Sequence, residues 1–233
     1  MKTPKVLVGC PTSDHKKYCI EEYAKAIKNL SYPNYDILLV DNSQTETYSK
    51  KLQTLEIPIK RDKYLERARD RIVHSRNVLR KYALENGYDY FLSLEQDVIP
   101  PKNVIEQLLQ HKKEVITGIY YMEYAVKKEG KTVGKKILPL LYKKKDDKNL
   151  QQLQPQEVEK EECKPITASG LGCILIKREI LEQIKFRYEK DKLVFDDIWF
   201  CQDLEKKGIP LYVNTAVKCK HLMREMDWNS IEK

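Results

Sequence analysis

The sequence predicts an α/β fold, an open sheet flanked by helices in a single domain, and three observations carry that prediction. Apolar runs of strand length alternate with stretches whose apolar residues recur every three or four positions, the periods of strand and helix. Several of the runs end in polar or acidic residues, as strands do at the carboxyl edge of an open sheet, where ligands bind. Finally, 233 residues with 41% hydrophobic content suit one large domain with an ample core.

Lys5-Val6-Leu7-Val8-Gly9-Cys10 reads as a buried first strand, broken by Pro11-Thr12-Ser13-Asp14, which turns the chain and caps a following helix. In that helix Ile20, Tyr23, Ala24, Ile27 and Leu30 keep the spacing of one buried face. Tyr35 to Val40 makes a second strand ending in Asp41-Asn42-Ser43, and the order strand, helix, strand predicts a right-handed parallel crossover. Asp41, a strand-end carboxylate, can accept from a nucleotide base or ribose or serve as a turn residue; Asp14 is read as the helix cap. A long helix is expected from about Arg69 to Asn86, with Ile72, Val78, Leu79, Tyr82 and Ala83 toward the core and Gly87 as its left-handed stop. In its early polar group, Arg76 can meet a diphosphate through its planar fork or make an ordinary surface ion pair.

The run Tyr88 to Leu94 then ends in Glu95-Gln96-Asp97, and Pro100-Pro101 stop the strand and start a helix. Residues two apart in an extended chain point the same way, so Glu95 and Asp97 can face one cavity. Carboxylate oxygens suit a hard divalent cation that keeps positions open for phosphate oxygens, Mn²⁺ or Mg²⁺. An acid-x-acid triplet alone is equally solvent-facing charge; its place at the end of a buried strand raises the functional reading.

Val104, Ile105, Leu108 and Leu109 mark a short amphipathic helix, and Glu114 to Tyr121 another buried strand. Lys127 to Glu162 breaks the rhythm: nine lysines lie between Lys127 and Lys148 against Glu129, Asp146 and Asp147, and only Ile137 to Tyr142 reads as an edge strand between mobile loops. That cluster is either a solvated loop or a surface for an anion such as a phosphorylated substrate, an anionic membrane or nucleic acid, and the insertion can cover a substrate. Ile166 to Ile176 reads as a strand whose small residues, Gly170 among them, let a ligand approach the backbone. Phe195 to Leu204 opens a helix with Asp196 and Asp197 in its first turn, where the helix dipole favours acids whatever their function. Gly208-Ile209-Pro210 ends it, and Leu211-Tyr212-Val213 leads to His221, a structural histidine or, as neutral imidazole, a metal ligand. The six cysteines form no C-x-x-C pair, mostly sit beside aliphatic residues as buried thiols do, and point to a reducing compartment. With no run of membrane-spanning length and no apolar stretch at Met1 to Lys5, the expectation is a soluble or peripheral protein.

As an ordered series, Val8-Gly9-Cys10-Pro11-Thr12, Leu39-Val40-Asp41-Asn42-Ser43, Arg76-Asn77, Phe91 to Asp97, Gly170-Leu171-Gly172 and Phe195-Asp196-Asp197 with Gly208 and His221 resemble the glycosyltransferases of the family 2 type. The resemblance spans nearly the whole chain and implies the GT-A (nucleotide-diphospho-sugar transferase) fold, a Rossmann-like mixed sheet flanked by helices. It implies one domain over residues 1–222, comprising a nucleotide-sugar-binding half (1–122), a variable basic insertion (123–165) and an acceptor and catalytic half (166–222), then a C-terminal tail (223–233). The implied activity is that of a metal-dependent hexosyltransferase moving a sugar from a nucleotide-diphospho-sugar to an acceptor hydroxyl with inversion, although metal-binding carboxylates on this fold also serve retention. Glu95 and Asp97 would bind Mn²⁺ or Mg²⁺ with the donor diphosphate, and His221 would be an extra metal ligand. Pro11, Thr12, Asp41, Arg76, Glu95, Gln96 and Gly170 would contact the donor. Asp196 and Asp197 would supply the general base, Asp197 by position. The sequence departs from the pattern in having Glu95 where an aspartate is usual and Asp196-Asp197 where Glu-Asp is usual.

The implied acceptor is a glycan, a protein or a lipid phosphate, the place cytoplasmic with peripheral contact at the inner membrane face, and nucleic acid is not expected. The insertion or the tail from Leu222 would close over the donor. Rival readings fare worse. A nucleotidyltransferase needs a glycine-rich basic loop after its first strand, and Pro11 to His15 has no glycine. A basic nucleic-acid or membrane module has no need of acids at several strand ends, and the lysine cluster lacks interleaved aromatic platforms. A degenerate, non-catalytic transferase would lack one of the carboxylates, and all are present.

Overall fold

The structure, a computed structural model, describes residues 3–128, 131–146 and 149–223. β1 (Val6–Thr12) leads through a 3₁₀ turn (Asp14–Lys16) to α1 (Ile20–Lys28) and β2 (Tyr35–Asp41), then α2 (Thr47–Thr54), β3 (Ile59–Arg61) and α3 (Ala68–Glu85). Next come β4 (Tyr90–Leu94), β5 (Val98–Ile99), α4 (Val104–Leu109), β6 (Val115–Ile119), β7 (Tyr121–Lys128), β8 (Lys131–Pro139), β9 (Leu141–Lys144) and β10 (Leu150–Gln152). β11 (Cys163–Ile166), β12 (Ala168–Ser169), β13 (Cys173–Lys177), α5 (Arg178–Gln183), α6 (Asp196–Lys206), β14 (Leu211–Lys218) and β15 (Lys220–His221) complete the order.

Eight strands form the central sheet in the order β11-β14-β6-β13-β4-β1-β2-β3. β1 runs parallel to β2 and β4, whereas β13 is antiparallel to both β4 and β6, so the sheet is mixed. The alternation of β1 decides which helices cover which face. Val6, Val8 and Cys10 pack with α1, α2 and α4; Leu7 packs on the opposite face with α3, α5 and α6. Gly9 keeps α3 close: a Cβ there would lie 2.8 Å from Leu79 Cδ2.

Several elements differ from the expectation for physical reasons. Asp14 opens its own 3₁₀ turn and caps nothing in α1, which starts at Ile20 behind Cys19. On α3 the buried face is Ala68, Arg71, Ser75, Arg76, Leu79 and Ala83, with Val78 and Tyr82 only partly buried, because the arginine heads find oxygen partners inside. β4 ends in a turn at Glu95, before the prolines. Ile137 to Tyr142 is divided between β8 and β9, and β7 with β8 forms a long hairpin from Tyr121↔Pro139 to Lys128↔Lys131. Ile166 to Ile176 divides among β11, β12 and β13, which lie in two different sheets. The six cysteines are free thiols, all buried except the half-buried Cys163. Among the described residues no helix is long and apolar enough to cross a membrane. Of the proposed closing tail only Leu222 and Met223 are described, and the rest lies outside the described residues.

Candidate functional site

Parallel pairing of β1 with β2 and β4 brings their carboxyl ends together, with Thr12 level with Asp41. At the end of β4 the chain turns sharply, the Val98 amide donating to the Glu95 carbonyl at 2.9 Å. β5 then pairs antiparallel with β15, placing His221 opposite Val98 and beside Asp97. Glu95 and Asp97 therefore flank a turn instead of lying on one side of an extended strand, and the turn sends them to different partners.

Glu95 goes to Arg76. That guanidinium is buried, 2% exposed, and donates through Nε to Asp196 Oδ2 (2.8 Å), through Nη1 to Ser93 Oγ (2.7 Å) and through Nη2 to Glu95 Oε1 (3.1 Å). Ser93 Oγ passes its own hydrogen to the Leu171 carbonyl at 2.7 Å. Burial alone would weaken the arginine's hold on its proton, but Asp196 and Glu95 keep it charged above the ordinary range. Arg76 thus faces neighbouring carboxylates inside the protein, neither presenting its fork to solvent nor forming a surface pair.

Asp97 goes to Lys16 and His221. Its Oδ2 pairs with the Lys16 ammonium and lies 3.5 Å from His221 Nε2, while its buried Oδ1 has no hydrogen-bond partner among the described residues. His221 Nδ1 faces the Tyr121 carbonyl at 2.8 Å, a contact only a donor can make, so Nε2 is the nitrogen aimed at the carboxylate. Behind it the Tyr120 ring meets the imidazole edge-on, centroids 5.4 Å apart. The Leu222 amide donates to the Asp97 carbonyl (2.7 Å) and Tyr18 donates to the Leu222 carbonyl (2.9 Å), which fixes the chain after His221. Burial would raise the Asp97 carboxyl, but His221 and Lys16 hold it well below the usual range.

A buried carboxylate with an unpartnered oxygen and an imidazole nitrogen facing it fit one hard divalent cation. The 3.5 Å from Nε2 is to Oδ2, the oxygen that Lys16 also holds, so the fit rests on the donor types, a carboxylate and an imidazole on neighbouring elements. Among the described residues no three His, Cys, Asp or Glu side chains already converge on one point, so phosphate and water oxygens would complete the shell.

Asp196 is buried against Arg76, whereas Asp197, next in the first turn of α6, is half-buried and accepts from the Ile198 amide at 2.7 Å. Burial first and the Asp196 charge second push Asp197 up to about 7, which suits an acid that must exchange a proton near neutrality. A separate cavity of about 300 Å³ lies behind it, lined by Lys144, Thr167, Ile198, Gln202 and Glu205, and includes none of the expected residues.

The other expected residues mostly bind one another. Gln96 Oε1 accepts from Thr12 Oγ1 and from Tyr48 (3.0 Å), and its Nε2 donates to the Lys16 carbonyl at 2.5 Å. Asp41, fully buried, accepts from the Ser43 amide (2.9 Å), Ser43 Oγ (2.6 Å), Ser49 Oγ and Arg61 Nη1 (2.8 Å). Pro11 sits within β1 opposite Val40. Gly170 is small for Tyr120's sake: a Cβ there would lie 2.0 Å from the tyrosine hydroxyl. Gly170→Ala is accordingly expected to cost about 1–3 kcal/mol, read as a lower urea midpoint; an unchanged midpoint would show that Tyr120 yields freely. Sequence reasoning passed over Lys16, Ser93 and Tyr120, which complete the site.

No protein-family model and no curated protein sequence matches the chain. In three dimensions it matches GalNAc-T7, solved with UDP, GalNAc and Mn²⁺, over 97% of its length at a TM-score of 0.70 and 14% identity. The mannosyltransferase PcManGT from Pyrobaculum calidifontis, solved with GDP-Man and Mn²⁺, matches over 99% of this chain at a TM-score of 0.63 and 15% identity. The fold is GT-A. A197 from STIV also matches, at a TM-score of 0.52 and 17% identity over 94% of this chain and 86% of its own. The present GT-A chain spans 45% of the GalNAc-T7 chain and 60% of the mannosyltransferase. On this GT-A sheet the Glu95 to Asp97 turn occupies the carboxyl end of the parallel strands β1, β2 and β4.

Proposed function

We propose that the chain is a metal-dependent glycosyltransferase of the family 2, hexosyltransferase type, moving a sugar from a nucleotide-diphospho-sugar to an acceptor hydroxyl with inversion. One observation carries the reading: at the strand ends of a GT-A sheet, Asp97 faces His221, and two residues earlier Glu95 is joined through Arg76 to Asp196, the neighbour of the half-buried acid Asp197. Asp97 and His221, completed by phosphate and water oxygens, would hold Mn²⁺ or Mg²⁺, which when bound neutralises charge on the departing diphosphate, while Glu95 stays paired with Arg76. Asp197 takes the proton of the acceptor hydroxyl as its oxygen bonds to the anomeric carbon. The bond from that carbon to the phosphate oxygen breaks, and its electron pair leaves with the nucleoside diphosphate. Attack from the face opposite the leaving group inverts the anomeric centre.

Arg76 positions the two acids, a role its buried geometry favours over direct phosphate contact. Thr12, Gln96 and Asp41 build the floor on which the nucleotide would lie, with Pro11 and Gly170 at its margins. The acceptor is a glycan, a protein or a lipid phosphate, and the exposed lysines of β8 provide a basic surface for an anionic acceptor or for the inner face of a membrane.

Because the matched transferases were solved with UDP and GDP-Man, UDP- and GDP-sugars are the donors to test first. In a thermal-shift series, one nucleotide class at about 100 times its Kd with Mn²⁺ should stabilise the protein by about 2.7 kcal/mol, roughly 5–10 °C. The shift should vanish without metal and in Asp97→Ala. If no sugar nucleotide shifts the wild-type protein and salt-sensitive binding to polyanions appears instead, the transferase reading is lost.

A further inference from the structure

Lys16 is the last residue of the 3₁₀ turn after β1, where its amide donates to the Ser13 carbonyl at 2.9 Å and its carbonyl accepts from Gln96. This backbone anchoring leaves only the side chain free to move. Its ammonium lies against Asp97 Oδ2, with the lysine side chain 23% and the carboxylate 7% exposed, in a site where Glu95, His221, Tyr18, whose hydroxyl lies 3.5 Å from the same Oδ2, and Cys19 are the other charged or titratable groups near Asp97 or Lys16. The ammonium thus covers one oxygen of the carboxylate, whose other oxygen has no partner among the described residues. A doubly charged cation bound to Asp97 and an ammonium within about 4 Å of it repel strongly in a buried setting, so metal and ammonium compete for this carboxylate. Lysine suits exchange: a compact charge on a flexible four-carbon stem, with three hydrogens for phosphate oxygens.

We propose that Lys16 is a resident counter-ion of this site, neutralising Asp97 when no metal is bound, displaced when Mn²⁺ or Mg²⁺ enters, and then carrying its charge to the donor diphosphate. The inference rests on the nucleotide-sugar reading above and adds a consequence to it. Metal alone must evict the lysine from a favourable pair, whereas metal with a diphosphate gives the lysine a new partner. Part of the mutual tightening between metal and donor therefore resides in Lys16, and by linkage it acts on both ligands equally. While it is paired, the lysine is protonated: burial opposes the charge, but Asp97 and Glu95 hold the ammonium above the ordinary lysine range.

The test is Mn²⁺ affinity of the full chain, read from the electron paramagnetic resonance signal of free Mn²⁺, first with the metal alone and then with UDP or GDP. Lys16→Met should bind Mn²⁺ alone about tenfold more tightly than wild type, and the tightening contributed by the nucleotide should shrink by a similar factor. Lys16→Arg, which keeps the charge, should stay near wild type. Should Lys16→Met fail to fold by circular dichroism, Lys16→Gln takes its place. Metal affinity unchanged or weakened in the neutral variant, with Asp97→Ala still abolishing binding, overturns the counter-ion role and leaves the transferase reading standing. Wild-type protein that binds no Mn²⁺ with or without nucleotide, or binds it as Asp97→Ala does, overturns both.

Discussion

Asp197→Asn is expected to slow sugar transfer by about 10²- to 10⁴-fold and, at pH 8, to raise the melting temperature of the same protein. Both effects come from one property of the site. Asp197 is held at about 7 against an ordinary 3.8, by burial and then by the charge of Asp196. Its folded-state pKa lies above the unfolded one, so the folded protein retains a proton that the unfolded chain releases between about pH 4 and 7, and stability falls as pH rises through that window. At 1.36 kcal/mol per pH unit the full effect would be about 4 kcal/mol. Solvent reaching the half-buried carboxylate, and the favourable α6 dipole that asparagine forgoes, reduce the expected gain to about 1 kcal/mol, or 2–4 °C. Asparagine can still accept from the Ile198 amide, so the packing of α6 survives. The gain should be complete above pH 7 and absent below pH 4. In wild type, kcat/KM should rise with pH through an ionisation near 7, or below it once a divalent cation is bound nearby, and the variant should lack that limb. A variant that is slow but whose stability relative to wild type is no higher at pH 8 than at pH 4 would show that Asp197 is not held protonated by its surroundings.

Much of this arrangement was legible in the sequence because it follows from strand ends. β1, β2 and β4 are short apolar runs that stop at polar residues, and stacking them in parallel gathers those residues whatever the loops do. The acids at the start of α6 and the histidine before the tail could be found for the same reason. What escaped depends on contacts that no local pattern records. α2 offers only Tyr48, Ser49 and Leu52 to the interior, too little apolar periodicity to announce a helix. In β8, residues Lys131 to Ile137 are all exposed, so no alternation of buried and exposed positions marks the strand. Lys16 is one of 43 basic residues, and its importance appears only when the turn after β4 carries Asp97 across to it. Helical periodicity reads an arginine such as Arg76 as a surface residue, and only the acids at Glu95 and Asp196 reverse that and bury it whole.

Arg76→Met should therefore be the most destabilising change in the site, by about 3–5 kcal/mol in urea unfolding. The methionine fills much of the volume, so the loss is electrostatic. Asp196, 3% exposed, loses its guanidinium partner, Glu95 loses its anchor, and Ser93 loses the donor to its hydroxyl. Arg76→Lys should restore little, because one ammonium cannot reach three acceptors spread around a planar fork. Two further results would separate lost charge balance from lost packing. The defect of Arg76→Met should shrink on moving from pH 8 to pH 5, since buried acids without a counter-charge titrate above their unfolded values and cost least when protonated. Adding Asp196→Asn should recover a large part of the stability, as happens when a buried pair is neutralised on both sides rather than one. Activity should not return with it. Arg76 is the only group described that holds the end of β4 and the start of α6 to a common point, and a displacement of about 1 Å between metal-side and base-side carboxylates costs about 10²-fold in rate. A double variant that regained both stability and transfer would show that the acids are placed by their own elements, with the arginine serving only to balance their charge.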